Sequence, residues 1–256
     1  MTKNGKPTFR IGTWNTEWVK PDAPKGNIIS YQLAATDCDI LCVTEGYAGI
    51  LPDGGHVIDA GEDWGCPIKK GRRKVLLWSK RPWTPHSHAL GSEESQRGRF
   101  VAGTTEAAGV CLTVIGVCIP WKDSKVQYCT ENEKLKPWED HKRWLHAFEK
   151  LNTQFPKSRT VVLGDFNQRK PNQKIPKGNF VPAVVHNALL TAFTGFKFAT
   201  EGELPGCLRA IDHIAHTVDL TLIGNSIKVW PKFADLSSLK LKLSDHFGVR
   251  GDFRVS

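Results

Sequence analysis

The stretch that most constrains this chain is a run of apolar residues stopping on a carboxylate and a carboxamide, Val161-Val-Leu-Gly-Asp-Phe-Asn167. Residues two apart in a β-strand share a face. A buried strand ending this way holds Asp165 and Asn167 side by side at a sheet edge, where a water can be both deprotonated and held in place. Asp-x-Asn is also good turn chemistry, so the reading rests on what else the chain sets at strand ends.

Other apolar runs stop in the same manner. Residues 9–14 read as a first strand halted by Asn15, and residues 39–45 as a second that ends on Glu45. Four consecutive apolar residues in the second strand imply burial on both faces. Residues 74–79, 99–104 and 110–118 read as further strands, the last stopped by Pro120. Residues 28–35 are a short helix candidate. A longer helix is expected to begin at Pro137, a residue suited to the first helical position, with Glu139 and Asp140 at the positive end of the dipole. Its apolar face would carry Trp138, His141, Trp144, Leu145, Phe148 and Leu151 at three- and four-residue spacing. Strands at 211–216, 218–223 and 226–230, and a last one reaching residue 255, complete an α/β pattern. Two facing sheets with helices outside account for it. With no linker, repeat or low-complexity tract among 256 residues, a single domain over 1–256 is expected.

A net charge of +9 and a pI near 9.2 favour polyanions such as nucleic acid, anionic membrane surfaces or phosphorylated metabolites. No apolar run reaches the roughly 18 residues of a membrane span, and no apolar signal region follows the first lysines; a cytoplasmic protein is expected. No oligomerisation signal stands out. The seven cysteines show no Cys-x-x-Cys spacing, so zinc and a disulfide framework are weakly supported and small core residues are expected.

The polar residues at the strand stops fit hydrolysis of a phosphate ester. Glu45 and Asp245 are hard oxygen ligands suited to Mg²⁺ or Mn²⁺, which would neutralise phosphate charge. Asp165 would take a proton from water. Asn167 and Asn15 would orient that water or donate to phosphate oxygens. His246 would donate to the phosphate, with Asp212 fixing its tautomer and favouring the cation. For each group alone the plainer role is a cap, a turn or a buried, satisfied side chain. His213, His141 and His146 read as structural or surface groups, and Trp14 and Trp144 as core.

The ordered set Thr13-Trp-Asn15, Val43-Thr-Glu45, Gly164-Asp-Phe-Asn167, Ile211-Asp-His213 and Ser244-Asp-His246 resembles the endonuclease/exonuclease/phosphatase superfamily. Each motif is weak alone; five in order across nearly the whole chain are specific. The resemblance implies a four-layer α/β/β/α sandwich of two mixed sheets flanked by helices. It also implies that Glu45 binds metal with help from Asp245, that Asp165 activates water, that Asn167 and Asn15 position water and phosphate, and that Asp212 pairs with His246. Members differ on whether the Asp165 or the His246 position is the base; Asp165 is favoured here. One position departs from the pattern. The strand before Pro120 carries a histidine or tyrosine to the phosphate in the nucleases, whereas here the tip is Gly116-Val-Cys-Ile-Pro-Trp121. Either Cys118 takes that place or nothing does, with Trp121, Lys122 or Lys125 as compensating groups.

Two basic stretches bear on substrate. Residues 69–74 pack five cations into six positions, Arg72 and Arg73 among them, and residues 168–180 carry Arg169, Lys170, Lys174 and Lys177 with no acid. A solvated loop is the plainer account of each. Arg97 and Arg99 are further phosphate-contact candidates. The leading expectation is a metal-dependent nuclease cutting phosphodiester bonds in DNA, or in RNA, with nucleic acid as its partner. The alternatives are a phosphodiesterase or phosphatase of small or lipid phosphate esters, and a catalytically weak polyanion-binding module.

Overall fold

A computed structural model describes residues 6–63, 67–87, 90, 98–124, 135–169, 181–236 and 239–256. The strands in chain order are β1 (Thr8–Asn15), β2 (Ile40–Tyr47), β3 (His56–Asp59), β4 (Arg72–Ser79), β5 (Thr84–Pro85), β6 (Phe100–Ala107), β7 (Val110–Cys118) and β8 (Thr160–Asp165). They continue with β9 (Phe196–Phe198), β10 (Asp212–Thr217), β11 (Leu220–Leu222), β12 (Lys228–Trp230), β13 (Phe233–Leu236), β14 (Leu239–Lys242) and β15 (Gly248–Val255). The α-helices are α1 (Pro24–Ala35), α2 (Glu139–Asn152) and α3 (Ala183–Ala192).

One sheet runs β11-β15-β1-β2-β4-β3, with β12 also on β15; the second runs β5-β6-β7-β8-β10-β9; β13 and β14 form a separate hairpin. Both large sheets mix parallel and antiparallel pairs, since β1–β2 and β7–β8 are parallel. The inner faces meet in a dry layer that includes Ile11, Cys42, Leu77, Leu112, Val114, Leu163, Ile214 and Phe253. Each such side chain contributes about 1.5–3 kcal/mol on full burial. Helix α1 covers the outer face of the first sheet through Ile29 and Leu33. Helices α2 and α3 cover the second through Trp144, Phe148 and Leu189. The result is the four-layer α/β/β/α sandwich. Trp14 and Trp144 are fully buried, as expected of core residues.

Helix α1 starts four residues earlier than expected, because Pro24 fills its first turn. Helix α2 starts later. Pro137 stands outside it, Trp138 takes a left-handed φ of 69° at the N-cap, and the Glu139 carboxylate reaches back to accept from the Lys136 backbone N–H at 3.1 Å. Of the cysteines, Cys38, Cys42 and Cys118 are core residues, but Cys111 and Cys207 are exposed. Cys111 falls on the outward phase of β7, which a continuous β-branched run conceals. Cys66 and Cys129 lie outside the described residues. Among the described residues no helix is long and apolar enough to cross a membrane.

Candidate active site

The centre of the second sheet ends in one row. Cys118, Asp165 and Asp212 are Cα partners across β7, β8 and β10. Gly164 makes this possible. Its φ is +141°, and a Cβ there would sit 1.9 Å from the Val117 carbonyl oxygen, so only glycine lets β8 lie this close to β7.

Asp165 is buried and held by three N–H donors. Asn15 Nδ2 donates to Oδ2 at 2.9 Å, Asn167 Nδ2 donates to the same oxygen at 2.9 Å, and the Asn167 backbone N–H donates to Oδ1 at 2.8 Å. Asn15 comes from the first sheet, so this contact closes the sandwich at the site. Its own oxygen accepts the Glu17 N–H at 3.0 Å, which fixes the amide the right way round. Asn167 also donates to the Ile119 carbonyl at 2.9 Å. Despite these donors, burial pushes the Asp165 carboxyl up to about 7, helped by the negative neighbours Asp212 and Glu45.

His246 arrives from the turn before β15. Its backbone carbonyl accepts from Trp14 Nε1 at 3.1 Å and its N–H donates to Ser244 Oγ at 3.1 Å. Ser244 Oγ in turn donates to the Asn15 carbonyl at 2.7 Å. Asp212 accepts from His246 Nδ1 at 2.6 Å, which leaves Nε2 facing the cavity. Burial works against the imidazolium, but Asp212 and Asp165 overcome it and hold His246 up at about 10. Burial likewise raises the Asp212 carboxyl, and the imidazolium opposes that rise.

Asn15, Asp165, Asn167 and His246 border a cavity of about 220 Å³ that also receives Glu45, Lys74, Arg99, Trp121 and Asp245, while Asp212 stands behind the imidazole of His246. The fold thus assembles Asn15, Glu45, Asp165, Asn167, Asp212, Asp245 and His246, drawn from five separate stretches of chain. Ligand atoms of Asp165, Asp212 and His246 lie within 4.8 Å of one another, and Asp212 Oδ1 is buried without a hydrogen-bond partner. With the carboxylates of Glu45 and Asp245 on the same cavity, the donor set is rich in oxygen and fits a hard divalent cation.

The expected substrate contacts divide. Trp121 stands 47% exposed on the cavity rim. Arg99 is buried against β7; its guanidinium donates to the Cys118 carbonyl at 3.2 Å and its Nε has no partner. Cys118 itself does not reach the cavity. It is fully buried and absent from the cavity wall, and burial pushes its thiol up to about 12. Arg72 donates to Tyr47 Oη at 3.1 Å and lies over the Trp18 ring. Arg73 is bound by Asp59 at 2.8 Å and Glu62 at 2.7 Å. Neither arginine lines the cavity. The residue of that run that does line the cavity is Lys74, which sequence reasoning passed over. Its place opposite Glu45 is set by the register of β2 on β4, which the basic run alone does not show. Arg169 lines a neighbouring cavity of about 330 Å³ that shares Asp245 and His246 with the first. Lys170, with the rest of the basic stretch from 170 to 180, lies outside the described residues, as do Arg97 and Lys125.

His213 and His141 are structural. His213 bonds Thr200 at 2.8 Å and the Gln168 carbonyl at 3.0 Å. His141 bonds the Pro120 carbonyl at 2.6 Å and Gln168 Oε1 at 2.8 Å, pinning the two loops that carry Trp121 and Asn167. His146 lies exposed on α2 beside Glu149.

Solved structures share this architecture over nearly their full length. An endonuclease/exonuclease/phosphatase family protein from Bacteroides thetaiotaomicron is 12% identical at a TM-score of 0.66, with 98% of this chain and 96% of that one covered. D. rerio TDP2 complexed with single-strand DNA product is 12% identical at 0.63, covering 97% and 99%. Sphingomyelinase C from Streptomyces griseocarneus is 13% identical at 0.56, covering 96% and 99%. At these identities the likeness shows the fold. No curated protein sequence matches the chain. The sequence profile of the Endonuclease/Exonuclease/phosphatase family matches residues 12–246, which span every element of the cavity, and the chain belongs to that family.

Proposed function

We propose that the chain is a divalent-metal-dependent phosphodiesterase acting on nucleic acid, DNA in the first instance. The observation that carries this reading is Asp165. It is a buried carboxylate oriented by two asparagines, held near 7, and set beside His246 on one cavity, with Asp212 bonded to the far side of that imidazole. A base whose protonation balances near neutral pH suits proton removal from water. Asn15 and Asn167 hold its oxygens, so no reorientation is needed as the proton transfers. His246 presents Nε2–H to a phosphate oxygen while Asp212 keeps Nδ1 protonated and the ring cationic. Arg99 supplies positive charge where the nucleases of the family place a histidine or tyrosine. Glu45, with Asp245, Asp165 and Asp212 nearby, would hold Mg²⁺ or Mn²⁺, which when bound neutralises phosphate charge and assists the leaving oxygen.

A polymeric substrate is supported by the exposed Trp121 on the rim, which offers a stacking face, and by Arg169 beyond His246. The sealed thiol of Cys118 favours a second reading with the same chemistry, a small or lipid phosphate ester, because the histidine or tyrosine of the nucleases is missing. D. rerio TDP2 in its complex with single-strand DNA and the Streptomyces sphingomyelinase represent the two substrate classes on this fold. Plasmid nicking with Mg²⁺ or Mn²⁺, run beside a panel of small phosphate esters, tests the proposal. Nicking that is lost in Glu45→Gln and Asp165→Asn supports it; equal nicking by wild type and both variants refutes the mechanism. Turnover of small esters without nicking moves the chain to the second reading.

A further inference from the structure

Among the described residues, Glu45 is the one carboxylate of the cavity paired with a lysine. The register of β2 on β4, Thr44 with Val75 and Gly46 with Arg73, sets Lys74 directly across from it, and Lys74 Nζ donates to Glu45 Oε1. The lysine is confined. Its side chain is 12% exposed, and its ammonium lies 5.1 Å above the Trp18 ring, beside the Arg72 guanidinium at 4.8 Å on the same ring. The other acids of the site differ. Asp165 is held by neutral N–H donors and Asp212 is paired with His246 through Oδ2, while the Asp245 side chain is 54% exposed.

An ammonium on a carboxylate oxygen occupies the direction from which a cation would approach it. Two cations cannot share that oxygen in a partly buried site without strong repulsion. Four methylenes let the lysine head swing while its backbone stays fixed in β4. The phosphate of a bound substrate in the cavity is an anion that can receive the displaced head. Building on the metal-dependent phosphodiesterase reading, we propose that Lys74 is the built-in counter-ion of Glu45. A divalent metal displaces it from that carboxylate, and it then serves as a phosphate ligand. Two properties of the site follow. Metal affinity is held down by the lysine, and phosphate and metal reinforce each other, because a phosphate that draws Lys74 away frees Glu45.

The test is calorimetric titration of Mn²⁺ alone into the full chain as wild type, Lys74→Met, Lys74→Gln and Lys74→Arg, with a thermal melt of each. Two neutral variants are used so that a folding defect in one leaves the other to be measured. Mn²⁺ is expected to bind at least about fivefold more tightly to the neutral variants and within about twofold of wild type to Lys74→Arg. In parallel, KM for bis(p-nitrophenyl) phosphate at saturating Mn²⁺ should rise in the neutral variants. Unchanged or weaker Mn²⁺ binding by both neutral variants, alongside metal-dependent hydrolysis by wild type, overturns the counter-ion role and leaves the phosphodiesterase reading standing. Tighter Mn²⁺ binding with unchanged KM overturns the transfer to phosphate. Absence of Mn²⁺ binding in all four proteins overturns the phosphodiesterase reading and the role of Lys74 with it.

Discussion

Replacing Asp212 by asparagine should change the charge of His246 at neutral pH. In the native protein the ring is buried, which disfavours the imidazolium, yet Asp212 and Asp165 hold it up at about 10 instead of 6.5. At about 1.4 kcal/mol per pH unit, this is on the order of 5 kcal/mol of net preference for the charged ring, and Asp212 is the largest favourable contributor. Asparagine keeps the volume and can still accept from Nδ1, but it removes the charge. What remains is Asp165, itself neutral over much of the range below 7, set against undiminished burial. His246 in Asp212→Asn should therefore titrate below about 7. The linkage has a definite sign. A histidine raised in the folded state contributes stability that is complete below 6.5 and lost as pH rises through about 10, so wild type should lose stability over that window and the variant should not. The ring's own NMR signals measure it directly: protonated at pH 8 in wild type, neutral in Asp212→Asn. Hydrolysis at pH 8 should fall about 10²–10⁴-fold, the usual value of a positioned proton donor. A wild-type His246 that titrates near 6.5, or a variant whose ring stays charged at pH 8, refutes the reasoning.

Further outcomes follow from the same geometry. Asp165→Asn should abolish hydrolysis yet gain relative stability as pH climbs. A carboxyl raised from 3.8 to about 7 is most favourable to the fold below 3.8 and loses that advantage as pH rises through 7, so melts of variant minus wild type should become more positive from pH 4 to pH 8. A difference that runs the other way contradicts the raised carboxyl. Gly164→Ala should cost more than about 3 kcal/mol or prevent folding, since its Cβ would strike the Val117 carbonyl oxygen; chemical denaturation reads this, and a near-neutral result would show that β7 and β8 are not this close. Arg99→Gln should raise KM for a phosphodiester, with the Mn²⁺ dissociation constant unchanged; an unaltered KM would remove Arg99 from substrate binding. Hydrolysis of a polynucleotide should weaken steeply with salt while bis(p-nitrophenyl) phosphate turnover does not; equal salt dependence would argue against the polymer.

The parts of the fold visible in the sequence were those where burial alone decides the residue type. The runs Ile40–Val43 in β2 and Val161–Leu163 in β8 are buried throughout, so each reads as an unbroken apolar run, and the polar residues that follow mark the site. Asn15, Glu45 and Asp165 stand out for that reason, whereas Asp212 opens β10 and His246 precedes β15, so those two are legible from the ordered motifs. Helix α3 gave little warning, because it carries no acid in its first turn and no side-chain cap; its start is set by packing on the second sheet. The hairpin of β13 and β14 pairs outside both large sheets and has no apolar run to betray it. Charge runs were the least legible. Residues 72–74 look like one basic patch in the sequence, but strand alternation separates them: Arg73 meets Asp59 and Glu62, while Lys74 meets Glu45. Which of three neighbouring cations enters the site depends on register, and register is a property of the pair β2–β4, not of either segment.

Backbone conformation links these observations. Glu17, Trp18, Glu45 and Asn167 all have φ between 48° and 58°, a left-handed region uncommon for such side chains. Such conformations cost on the order of 1–3 kcal/mol each and persist only where their surroundings over-determine them. Here the surroundings are the site's own hydrogen bonds. The Trp18 N–H donates to the Glu45 carbonyl at 2.7 Å, the Glu17 N–H to Asn15 Oδ1 at 3.0 Å, and the Asn167 N–H to Asp165 Oδ1 at 2.8 Å. Glu17 then accepts the Asp245 N–H at 3.0 Å, which ties the first loop to the one that carries His246. Of these residues Glu45 and Asn167 line the cavity, while Glu17 and Trp18 bond to the residues that carry it, Asn15 and Glu45. The unfavourable backbone and the oriented Asp165 are thus two sides of one arrangement. Asn15 sits at its centre, bonded both to the loop that bends and to the carboxylate that the bend serves, so Asn15→Ala should release the Glu17–Trp18 turn and disorder Asp165 together. Loss of amide-exchange protection at Trp18, in the same variant that loses hydrolysis, is the expected signature. Activity lost with Trp18 still protected would separate the strain from the chemistry.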